Sequence, residues 1–165
     1  MNLFLWGALP YIAFTFLIVG TLVRFFYFER NWTTKSSQFL EKKQLRIANP
    51  LFHFGLICVI GGHVVGVLIP KTWNAAIGIN DHRYHQGALY MGAVAGIIFI
   101  VGFLLLMKRR FTVAELKVNT SGLDKWLYLF LTLAIFSGMA GTLLNASGFF
   151  DYRVSIGPWF RSLLA

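Results

Sequence analysis

The chain has 165 residues, of which 57% are hydrophobic, 17% aromatic and only 13% charged. Soluble chains carry about 25% charged residues, so this composition, with a mean hydropathy of +0.65, excludes an ordinary soluble domain and describes a membrane protein. The net charge of +9 does not read as nucleic-acid binding, because the cations sit in short stretches between apolar blocks, as positive-inside loops do.

The opening "MNLFLWGALPYIAF" has no basic n-region and no small-residue cleavage site. It therefore reads as the start of a retained helix rather than a signal peptide. Four stretches are long enough for a bilayer core, which takes about 20 apolar residues: residues 3–23, 51–69, 87–107 and 126–144. Pro10 is tolerated in the first because neighbouring helices re-satisfy the freed carbonyl. Pro70 ends the second, Lys108-Arg109-Arg110 ends the third, and the fourth follows "NTSGLDK". The tail, 147–165, is aromatic and amphipathic and is expected to lie at the outer interface. The expectation is an all-α integral membrane helical bundle, one domain over 1–165 with four transmembrane helices.

The connection after the first span and the one after the third hold Arg24, Arg30, Lys35, Lys42, Lys43, Arg46, Lys108, Arg109, Arg110, Lys117 and Lys125. The opposite side holds only Lys71, Arg83, Arg153 and Arg161. Eleven cations against four place those two connections in the cytoplasm and both termini outside, in a cell inner (plasma) membrane. Glycines recur in the spans, including Gly62 to Gly66 and Gly92 to Gly96; such spacing serves helix packing more often than close approach of a flat cofactor. Cys58 is alone and lies in an apolar block, so it reads as a small helix residue rather than a metal or disulfide position.

His53 and His63 stand ten residues apart inside the second span. Ionisable groups at that depth are functional candidates by default. Ten residues rise about 15 Å on a helix, which puts the two rings in different leaflets and rules out a shared metal ion. Neutral imidazole ligates haem iron, and two glycine-flanked histidines read as two haems stacked across the membrane. The alternative is that each ring hydrogen-bonds a carbonyl of a neighbouring helix. His82 and His85, in "INDHRYHQG" at the entry to the third span, can approach only the outer position, so at most half of each ligand set is present.

The stretches "SSQFLEKKQLRIANPLFHFGL", "GGHVVGVLIP", "LLLMKRRFTVAELKVNTSGLDKWLYLFLTLAIFSGMAGT" and "SIGPWFRSLL" resemble the gamma subunit of respiratory nitrate reductase, a quinol-oxidising membrane cytochrome b, and the similarity runs from end to end. The resemblance implies five transmembrane helices, two b-type haems, quinol oxidation near the outer face, and electron delivery to an iron–sulfur beta subunit and a molybdenum alpha subunit at the cytoplasmic face. Carried over, His53 is one axial ligand of the inner, proximal haem and His63 one of the outer, distal haem. In the family the partner ligands come from two histidines on a fifth helix, so the chain is expected to be truncated before it.

By the same resemblance the quinol site lies beside the outer haem, with Gly62, His63, Arg83 and His85 as candidates. Arg83 reads equally as an interfacial cation, and His82 reads as a solvated loop residue. His85 is a candidate acceptor of a quinol proton, since a neutral imidazole is poised near physiological pH. Arg110 is a candidate partner for a propionate of the inner haem, although topology alone accounts for the basic triplet. Two rivals stand beside the di-haem reading: a haem-free membrane anchor or adaptor for cytoplasmic oxidoreductase subunits, and a small transporter. The second finds no paired carboxylates in the spans.

Overall fold

The computed structural model describes residues 2–28, 39–149 and 151–164. Arg30 and Lys35, counted above in the first connection, lie outside the described residues, as do Ser36, Ser37 and Gln38 of the first quoted stretch. The chain divides into two compact units, Met1–Ser36 and Ser37–Ala165. The fold is all-α, with no strand among the described residues. Its four long helical segments, Phe4–Tyr27, Lys43–Leu68, Asp81–Thr112 and Gly122–Ala146, are each long and apolar enough to cross a membrane.

In the first unit a π-helical turn, Phe4–Ala8, runs directly into α1 (Leu9–Tyr27). The Leu9 amide reaches back five residues to the Phe4 carbonyl, and this wide turn immediately precedes Pro10, which has no amide to offer. None of the described residues of this segment is buried within the unit. Its surface is apolar all round, as suits a helix surrounded by lipid.

The second unit contains α2 (Lys43–Leu68), α3 (Lys71–Ala76), α4 (Asp81–Thr112), α5 (Ala114–Val118), α6 (Gly122–Ala146) and α7 (Ile156–Ser162). Helix α2 starts well before its apolar run. The Glu41 carboxylate accepts a hydrogen bond from the Gln44 amide at 2.8 Å, satisfying one of the first-turn donors. The helix then continues through Pro50, so proline does not set its start. At the other end Ile69 is extended (ψ 117°), the conformation imposed on a residue that precedes proline. The Asn80 side chain caps α4 by accepting from the Arg83 amide at 2.8 Å. A full capping box opens α6: Ser121 Oγ accepts from the Asp124 amide, and Asp124 accepts from the Ser121 amide at 2.9 Å. With 32 residues, α4 is about 48 Å long, well beyond a hydrocarbon core of about 30 Å. Its polar ends, Asp81–His85 and Lys108–Arg110, are therefore helical but outside the apolar layer.

Helices α2 and α4 form the centre of this unit by close approach at two glycines. A Cβ on Gly55 would collide with the Phe99 backbone, and one on Gly102 with the backbone of Phe52. Each glycine thus accepts the other helix, and the rings stack over the contact: Phe52 lies 5.2 Å from Phe99 and 6.4 Å from Phe103. Phe103 continues the cluster to Tyr128 of α6 at 6.2 Å. The GxxxG spacings do not make this contact. At Gly62, Gly92 and Gly96 an added Cβ would meet nothing within 4 Å among the described residues, and at Gly66 it would meet only Tyr152 of the tail.

Candidate functional site

His53 and His63 both lie on α2 with exposed side chains. Each ring turns its Nδ1 onto the carbonyl four residues earlier: His53 to Asn49 O at 2.9 Å, and His63 to Val59 O at 2.8 Å. A carbonyl can only accept, so Nδ1 carries the proton in both rings and Nε2 of the neutral imidazole keeps its lone pair. Nε2 also faces away from the helix backbone. A histidine that ligates a metal is usually held this way, its other ring nitrogen donating to a carbonyl or carboxylate that fixes tautomer and orientation. The sequence alternative, a bond to a neighbouring helix, is not what the rings make; each bonds its own helix. Phe52 packs edge-on to His53 with centroids 5.2 Å apart.

Gly61 and Gly62 on α2, Gly92 and Gly96 on α4, and Gly138 and Gly141 on α6 meet nothing within 4 Å among the described residues. Each histidine thus presents one Nε2 for a ligand, whereas at Gly55, two residues from His53, the Phe99 backbone of α4 fills the space a side chain would take. Among the described residues no group of three metal-ligating side chains occurs.

At the N-terminal end of α4, His82, Arg83 and His85 belong to the first two turns of the helix rather than to a loop. His82 and Arg83 are exposed and His85 is half-buried. Among the described residues no hydrogen bond or ion pair joins His63, Arg83 and His85. What connects the outer half of α2 to the start of α4 is the tail. The Tyr152 hydroxyl is close enough to Gly66 that a Cβ there would lie 3.0 Å from it. Burial, with the neighbouring Tyr84, pushes the Tyr152 phenol up to about 12. Arg153 lies over the Tyr84 ring at 3.8 Å and reaches Asp81 at 3.2 Å. Lys71 adds looser ion pairs to Asp81 (3.4 Å) and Asp151 (3.6 Å). Arg161 of α7 donates to the Val67 carbonyl at 2.7 Å.

At the C-terminal end of α4 the basic triplet divides by role. Lys108 is exposed, whereas Arg109 and Arg110 are buried. Arg109 clamps Glu41 through two bonds of 2.7 Å, from Nε to the carboxylate and from Nη2 to the backbone carbonyl. The Gln44 amide and Arg109 together hold the Glu41 carboxyl below its ordinary range. Arg110 pairs with Asp124 at 2.6 Å, tying α4 to the capping box of α6. Its Nε is buried without a partner among the described residues. The sequence signalled the cations but not their partners, Glu41 and Asp124, nor the part played by Tyr84, Tyr152 and Arg153. The short polar run Asp151-Tyr152-Arg153, set in an aromatic tail, is the signal that could have marked an anchoring point there.

The family model described as nitrate reductase gamma subunit matches residues 2–165. Among curated proteins, the nitrate reductase gamma chain of Bacillus subtilis is 44% identical over 161 residues, covering 97% of this chain and 72% of that one. The nitrate reductase-like protein NarX of Mycobacterium tuberculosis is 40% identical over 96% of this chain, which spans a quarter (25%) of its length. The respiratory nitrate reductase 1 gamma chain of Escherichia coli is 30% identical over 87% of this chain and 62% of its own.

Proposed function

This chain belongs to the nitrate reductase gamma subunit family, and from that premise we propose that it is the di-haem cytochrome b membrane subunit of a quinol-dependent nitrate reductase. The observation that carries the proposal is the paired geometry of His53 and His63. Both rings have Nδ1 committed to their own helix and Nε2 left for a ligand. His53 holds the inner haem and His63 the outer one. Haem supplies reversible one-electron transfer, the chemistry that links a two-electron quinol to an iron–sulfur beta subunit and onward to nitrate at a molybdenum alpha subunit.

The chain's own residues handle the quinol. Gly62, next to His63 and without a side chain, leaves room for a flat ring to approach the helix. Arg83, exposed at the start of α4, donates from its guanidinium to a quinol oxygen. His85, half-buried one residue beyond Tyr84, accepts a quinol proton and passes it to the outer side. Arg110 offers its unpartnered Nε to a carboxylate of the inner haem. The domain spans 1–165 in the plasma membrane. The Glu41–Arg109 and Arg110–Asp124 end faces the cytoplasm and the soluble subunits, and the tail lies outside.

The test is a dithionite-reduced minus oxidised spectrum of the purified complex, with haem counted against protein. Two b-type haems per chain, partly lost on His53→Ala and partly on His63→Ala, support the reading. A haem-free chain that still retains its soluble partners would replace it with a membrane anchor.

A further inference from the structure

The residues that the tail grasps on α4 alternate in sequence with the quinol-site candidates. Arg153 holds Asp81 and Tyr84, whereas Arg83 lies between them and His85 follows Tyr84. On a helix turning about 100° per residue, Asp81 and Tyr84 share one face, and Arg83 points roughly 130° away from the middle of that face. Whatever fixes the first pair therefore fixes the direction of the second.

We propose that Arg153 is a positioning residue for quinol oxidation: by stacking on Tyr84 and pairing with Asp81 it sets the rotation and order of the first turn of α4, and so the placement of Arg83 and His85. The inference rests on the quinol-site reading above and deepens it.

Three features single out Arg153. Its side chain is only 5% exposed although its partner Asp81 is 61% exposed, so the guanidinium is buried against α4 rather than displayed to water. It makes a planar stack and an ion pair together, a combination that lysine cannot reproduce. Its Nη2 is also buried without a partner among the described residues, a cost that a purely stabilising cross-link avoids. The α4 end it holds is also capped by Asn80 and paired more loosely through Lys71, but neither of these reaches the Tyr84 ring that Arg153 covers. Arg161, by contrast, anchors the same tail to the Val67 carbonyl of α2 and has no contact with Asp81 or Tyr84 among the described residues.

The experiment is steady-state quinol oxidation by the assembled, haem-loaded enzyme, with haem content and dithionite-reducible haem measured on each variant. Arg153→Ala is expected to raise KM for a short-chain quinol about tenfold, through Arg83, and to lower kcat by about tenfold, through the proton acceptor His85, with haem content unchanged. Arg153→Lys should fall between wild type and Arg153→Ala, and Arg161→Ala should leave KM within about twofold. If Arg153→Ala does not assemble, Asp81→Asn and Arg153→Lys test the same contact from both sides. An unchanged KM in the Arg153 and Asp81 variants overturns the proposal, as does an equal KM rise in Arg161→Ala, which would mean general loss of tail docking. A wild-type enzyme whose haems are reduced by dithionite but not by quinol would instead overturn the quinol-site reading on which this rests.

Discussion

Gly55 of α2 lies directly against the backbone of Phe99 of α4, so that a Cβ at position 55 would stand 2.6 Å from the Phe99 Cα. Gly102 and Phe52 repeat the relationship in the opposite sense. Backbone cannot yield as a flexible side chain does, so the spacing of the two central helices depends on the absence of one methyl group at each crossing.

Gly55→Ala should therefore destabilise the helix pair by about 1–3 kcal/mol, the usual cost of overpacking a tight contact. Gly92→Ala, where nothing lies within 4 Å among the described residues, should be neutral or slightly stabilising because alanine favours helix. Thermal unfolding of the two variants in detergent checks this, and equal melting temperatures would refute it.

His53 and His63 make the same Nδ1 bond at two levels of one helix, so their loss should be separable. His63→Ala should remove the outer haem and lower quinol-driven turnover by about a hundredfold or more, exceeding the loss typical of an outer hydrogen-bond partner. His53→Ala should remove the inner haem while the remaining one is still reduced by quinol. Stopped-flow spectra of the two variants distinguish these outcomes, and quinol turnover that survives His63→Ala would refute the ligand assignment.

Glu41 gives a pH dependence of known sign. The Gln44 amide, with Arg109, holds its carboxyl below the ordinary value near 4.5. A depressed carboxyl contributes stability that is present above its unfolded value and lost as pH falls through the folded one. Below about pH 4.5 the segment at 39–42 should loosen from Arg109, while at pH 6 and above it should be unaffected. Hydrogen exchange at 39–44 reads this directly, and Glu41→Gln should be loosened at both pH values.

Asp124 serves two partners, the Ser121 amide and Arg110. Ser121→Ala loses only the cap and should cost about 1 kcal/mol. Asp124→Asn also leaves a buried guanidinium without its counter-charge and should cost about 3 kcal/mol. Chemical denaturation of both, with Arg110→Gln/Asp124→Asn as the double variant, checks the difference. The double variant should lie above Asp124→Asn alone if the uncompensated charge is the cause.

The four spans and the two histidines were legible because both are local properties. A run of about 20 apolar residues crosses the hydrocarbon at a fixed rise per residue, and the ten-residue spacing of His53 and His63 sets their depths without reference to any other part of the chain. Helix ends were less legible. Pro50 and the polar residues 81–86 look like boundaries, yet the backbone passes through both as helix, because a cap and a partner further along supply what the local sequence lacks.

Only the tertiary arrangement decided which glycines touch a neighbour, and it chose Gly55 and Gly102 over the more conspicuous GxxxG pairs. It also decided that Arg109 meets Glu41 across 68 positions and Arg153 meets Asp81 across 72. Spacing along one helix says which residues share a face. It carries no record of the element that the face will meet, since that depends on the crossing of two helices joined by a long stretch of chain. The spacing of the two histidines belongs to α2 alone, whereas the anchoring of Asp81 and Tyr84 belongs to a tail some seventy residues later in the chain.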